Sequence, residues 1–100
     1  MDSETILQEA QRLVYGDRNA SYGEPLDDFG RTAGMATAML RHKLKDGVEL
    51  TAEDVGMFMI LLKVSRQINR PKRDNMVDAA GYAATVERCI EERVRRADGK

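Results

Sequence analysis

One hundred residues with 42% apolar side chains and a formal charge of −1 describe one globular domain, not a disordered chain. Near-neutrality gives no general attraction to nucleic acid or to an acidic membrane, so any electrostatic role must come from local clustering. A single cysteine, Cys89, excludes an internal disulfide and a cysteine-based zinc site. The acidic, mixed N-terminus carries no visible signal peptide, and the longest apolar run, residues 57–62, is far too short to span a bilayer. The expected location is therefore cytoplasmic, with no membrane partner.

In chain order, a first helix is expected from Asp2 or Ser3, both good N-caps, to about Tyr15. Ile6, Leu7, Ala10, Leu13 and Val14 make its apolar face. Gly16 fits a left-handed C-cap. The loop GDRNASYGEP follows, and Pro25 suits the first turn of a second helix. Leu26, Phe29, Ala33, Ala36, Leu40 and Leu44 trace one stripe to about Lys45. Gly30 and Gly34 on that helix point to close approach of a neighbour.

After the turn DGVEL, Thr51 caps a third helix that Pro71 stops. Its wide apolar face is Met57, Phe58, Leu61, Leu62, Val64 and Ile68, with Gly56, Met59, Lys63, Arg66 and Arg70 opposite; it reads as the most buried helix. Asp74 can cap the fourth helix, expected to run to about Arg96 with residues 97–100 frayed. Met76, Ala79, Ala80, Ala83, Ile90 and Val94 form its apolar side, and Asp74, Asp78, Gly81 and Thr85 line the other. No segment alternates with period two long enough to be a strand. The expectation is a single all-α domain over residues 1–100: a four-helix bundle whose long last helix overhangs its core. Homo-oligomerisation, with the last two helices packed across a two-fold axis, would complete it.

Lys63, Arg66, Arg70, Lys72 and Arg73 are five cations with no acid among them, and Asp74 and Asp78 follow four residues apart. Arginine offers phosphate a planar fork and lysine a point charge. Two carboxylates at i, i+4 can share a Mg²⁺ ion, which prefers oxygen ligands. The same residues equally make a set of inter-helix salt bridges. Tyr22 and Tyr82 each adjoin a glycine and could stack on a nucleobase, or simply sit half-buried. His42 reads as exposed and Cys89 as a small buried side chain.

The stretches ILQEAQRLVYGDRNASYGEP, LTAEDVGMFMILLKVSRQ and KRDNMVDAAGYAA resemble a family of small phage and prophage proteins. That family is regarded as MazG-like and related to the all-α nucleoside triphosphate pyrophosphohydrolases. The resemblance implies a MazG-like bundle in dimers or tetramers. It also implies Mg²⁺-dependent cleavage of a nucleoside triphosphate, in the host cytoplasm for a phage protein. Asp78 matches the last metal-binding aspartate, and Asp74 or Asn75 lies near the preceding acid. Lys63 and Arg66 stand where the helix before them should be acidic. This reversal leaves three expectations: a nucleotide hydrolase, a nucleotide-binding protein without turnover, or a helical assembly protein with a degenerate site. For the first, Asp74 and Asp78 would hold metal, Lys63, Arg66 and Lys72 would meet phosphate, and Tyr22 or Tyr82 the base; the second rests on the same cations and on the missing carboxylates. No specific nucleic-acid binding is expected.

Overall fold

A computed structural model of the chain describes residues 3–17 and 21–99, and these contain four α-helices and no strand. Helix α1 spans Ile6–Arg12 and runs into a π-helical turn, Leu13–Asp17; α2 is Pro25–Met39, followed by a short 3₁₀ turn, Arg41–Lys43; α3 is Ala52–Asn69 and α4 is Arg73–Asp98. The α1 cap is Thr5 rather than Asp2 (outside the described residues) or Ser3. Thr5 accepts from the backbone N–H of Gln8, whose side chain accepts from the Thr5 N–H in return, so two orphan donors are satisfied at once. Gly16 takes no left-handed conformation; the chain leaves α1 through the wider π turn instead.

Helix α2 ends about six residues early, at Met39, and tightens into the 3₁₀ turn. Gly47, at φ +78°, then supplies the left-handed residue of the DGVEL connection. Thr37 fastens this connection. Its hydroxyl donates to the Ala33 carbonyl at 2.7 Å and accepts from the Leu50 N–H at 2.9 Å. Thr51 caps α3 by a reciprocal pair with Asp54. Lys72, not Asp74, is the N-cap of α4, which continues through Asp98.

Helix α4 is the spine and packs against α1, α2 and α3; α2 also packs on α3, while α1 touches neither α2 nor α3. Where α4, α3 and α2 meet, α3 presents Gly56. A Cβ there would lie 2.5 Å from a Val86 methyl and 3.6 Å from the Phe29 ring, so this glycine allows the close approach. Gly30 and Gly34 do not: a Cβ at either would meet nothing within 4 Å, and they line an open groove with Thr37, Ala38 and Leu50.

The α2 stripe behaves as expected, with Phe29 and Ala33 buried and Leu26 packed beside them. The later helices turn the other way. In α3 the buried residues are Ala52 and Gly56, while Met57, Phe58, Leu61, Val64 and Ile68 are exposed. In α4 the buried line is Asn75, Val77, Gly81, Thr85, Cys89 and Glu92, and Ile90 and Val94 stand exposed. Small residues thus make up much of the buried line on α3 and α4, and several large apolar residues face outward.

Candidate functional site

Of the seven residues singled out for chemistry, Lys63, Asp78 and Tyr82 lie in one place, Arg66 and Lys72 in a second, and Tyr22 and Asp74 in neither. Lys63 and Asp78 meet across the α3–α4 contact, with the Lys63 Nζ 2.9 Å from Asp78 Oδ2 and the Lys63 side chain only 13% exposed. Asp78 also lines a crevice of about 40 Å³ with Val14, Gly81 and Tyr82. A Cβ at Gly81 would meet a Val14 methyl at 3.4 Å, an ordinary van der Waals contact. The volume admits about one water and no nucleotide. Tyr82 is half-buried against Phe29, ring centroids 6.2 Å apart, as the core reading of that residue anticipates. Tyr22 is exposed at the rim of a neighbouring crevice that also contains Val14 and Thr85. Arg18, Asn19 and Ala20 of the GDRNASYGEP loop lie outside the described residues.

The second place is the corner between α3 and α4. Ser65, Arg66, Asn69, Arg70, Lys72 and Asn75 line an open recess of about 470 Å³. No acid lines it, and no carboxylate among the described residues lies within ion-pair distance of Arg66, Arg70 or Lys72. Gln67 shapes the corner: its side-chain carbonyl accepts from the Lys72 N–H at 2.9 Å and from Asn75 Nδ2 at 3.0 Å. That clamp fixes the turn through Pro71 and buries Asn75. The other two cations of the run are engaged. Lys63 pairs with Asp78, and Arg73 reaches α1, where it pairs with Glu9 and donates to the Glu4 carbonyl at 2.9 Å.

The expected Mg²⁺ site lacks a donor set. Asp78 already has a cation on one oxygen, and Asp74 is exposed in the first turn of α4, where it favours the helix dipole. Among the described residues no three His, Cys, Asp or Glu side chains converge. A charge pair near 4 Å is worth about 4 kcal/mol at an effective dielectric of 20 before desolvation, so Lys63 competes strongly with a metal for Asp78. No step through a metal follows from this arrangement.

Arg88 escaped the sequence reading, and a second feature was legible there only as an i,i+4 pair of Glu92 with Arg96 on an exposed segment. Arg88 points from α4 toward the π turn, donating to the Val14 carbonyl at 3.0 Å, pairing with Glu24 at 3.3 Å and lying 4.9 Å over the Tyr15 ring. Its signal was its place beside the buried line through Gly81, Thr85 and Cys89. Glu92, buried at the far end of α4, accepts from both Arg95 and Arg96. These guanidiniums, Arg95 first, hold its carboxyl down to about 2. Cys89 is sealed in the core, and burial, reinforced by the Glu53 carboxylate, pushes its thiol up to about 11; such a thiol is inert at neutral pH. No helix among the described residues is long and apolar enough to cross a membrane.

Comparison with known proteins places the chain among phage proteins without a stated activity. It is 42% identical over 93 residues to the Gene 55 protein of Mycobacterium phage D29, covering 92% of this chain and 58% of that one. To the Gene 55 protein of Mycobacterium phage L5 it is 39% identical over 85 residues, covering 84% and 51%. The chain thus spans a little over half the length of these curated relatives. No solved structure matches. Neither relative's name refers to pyrophosphohydrolases. A family profile matches residues 5–90, and the chain therefore belongs to the family described as domain of unknown function DUF6378.

Proposed function

We propose that this protein captures a phosphate-rich ligand, of the nucleoside di- or triphosphate class, without hydrolysing it. The supporting observation is the corner recess, where Arg66, Arg70 and Lys72 converge with no acid among them and amide side chains stand beside them. Its size falls within the usual range for small-ligand sites, roughly 300–1,000 Å³. Unpaired guanidiniums and an ammonium are the groups that bind phosphate oxygens through charge-assisted hydrogen bonds. No aromatic ring lines the recess, so recognition is of the phosphate chain and not of the base. Tyr22 and Tyr82, placed around the other crevices, have no part in this reading. Turnover is not proposed, because the carboxylates that would hold Mg²⁺ are either paired or isolated.

Calorimetry in EDTA with tripolyphosphate, several (d)NTPs and a nucleoside monophosphate tests this. Tripolyphosphate and all triphosphates should bind alike and the monophosphate more weakly. Replacing Arg66, Arg70 and Lys72 together by Gln should weaken binding roughly tenfold or more. Absence of tripolyphosphate binding at low salt would sink the proposal. Pyrophosphate release from any (d)NTP with Mg²⁺, abolished by Asp78→Ala, would replace it with the hydrolase reading. The outward apolar face of α3 favours a second reading, a helical assembly protein in dimers or tetramers, and the two are compatible.

A further inference from the structure

The outward face of α3 follows a definite spacing. Met57, Leu61, Val64 and Ile68 are separated by four, three and four residues, all exposed, which is the a/d seam of paired helices. Phe58, 72% exposed, widens it. A chain that buries Ala52, Gly56 and Thr85 while presenting this row to solvent has its side chains sorted for a larger core than its own.

Surface area supports the same conclusion. The chain exposes 7115 Å², whereas a compact monomer of 11.2 kDa exposes roughly 5,700 Å². Its Cα radius of gyration is 15.2 Å, against about 13 Å for a compact domain of this length. The molecule is a slab, 53 × 39 × 19 Å. The excess of about 1,400 Å² per chain is larger than the roughly 800 Å² per partner that a standard interface buries, so the surface has room for a second copy.

We propose that a second copy of this chain covers the Met57–Leu61–Val64–Ile68 seam, with the two α3 helices antiparallel about a two-fold axis between residues 61 and 64. The four-three-four spacing reads the same in both directions. Met57 then faces Ile68 of the partner subunit, and Leu61 faces Val64 of the partner subunit. The helix dipoles select the direction: antiparallel pairing sets the two α3 dipoles in opposition, whereas parallel pairing would align them. The antiparallel pair leaves the two phosphate-binding recesses at opposite ends of the seam.

Light scattering on the purified chain should give twice 11.2 kDa at micromolar concentration, and Leu61→Glu should halve the mass. Because that variant could unfold, cross-linking provides an independent readout. An oxidised equimolar mixture of Met57→Cys and Ile68→Cys chains should form the mixed disulfide dimer in preference to either homodimer. Buried Cys89 stays out of the reaction. A wild-type monomer overturns the proposal and leaves the face to a different chain. A dimer that forms no mixed disulfide, or in which Ile68→Cys pairs mainly with itself, also overturns it.

Discussion

The two ends of one basic run differ in a way that spacing alone conceals. Lys63 and Arg66 are one helical turn apart on α3, yet Lys63 is folded under and pairs with Asp78, while Arg66 opens into the corner recess. What separates them is where α4 begins: it crosses Lys63 at Asp78, whereas Arg66 lies beside its start, at the corner through Pro71. A cation under a crossing helix must be neutralised within the fold, whereas a cation past the crossing stays available to a ligand. The same contrast divides Arg73, drawn to Glu9 on α1, from its neighbour Lys72.

Breaking the closed pair should have the largest effect. Asp78→Ala strands a Lys63 ammonium that is mostly out of water, and should cost about 1–3 kcal/mol, between the exposed and fully buried cases. Urea denaturation measures this, and adding Lys63→Met to Asp78→Ala should recover much of the loss. An unchanged midpoint in Asp78→Ala would show that the pair is as solvated as the recess. Acid sharpens the contrast with a second self-neutralised cluster. Glu92 is held down to about 2 by Arg95 and Arg96. It therefore contributes stability that is complete above the ordinary carboxylate range, near 4.5, and is lost as pH falls toward 2. Comparing denaturation at pH 5 and pH 3, Glu92→Gln should show a smaller loss than the parent; an equal loss would refute the assignment. The smallest effect belongs to the open end. Arg66→Gln should change stability by less than about 0.5 kcal/mol while weakening tripolyphosphate binding, and a large stability loss would show that Arg66 is a structural residue.

How far the sequence could be read depended on who the neighbours were. The all-helical character, the Thr51 cap, the break at Pro71 and the α2 stripe were legible because each is decided within a few residues of chain. The faces of α3 and α4 were not. The rule that large apolar residues face inward assumes that a chain buries them against itself. Here Ala52, Gly56 and Thr85 make the intrachain contacts while Leu61 and Ile68 point out. The pairing of Lys63 with Asp78 was legible as one of two readings. The division of the basic run was not, because Arg73 is claimed by Glu9, distant in sequence, and the recess is shaped by Gln67, an uncharged residue that no charge pattern singles out.

The π turn at the end of α1 is held from α4. Its wider ring accommodates one residue more than an α-helical turn, and Arg88 grips this stretch through the Val14 carbonyl and, farther on, Glu24. Removing a residue from 13–17 would let this stretch close as an ordinary α-helical turn of nearly the same rotation, but would change which carbonyl meets Arg88. Chain length at this corner is thereby tied to the guanidinium's hold.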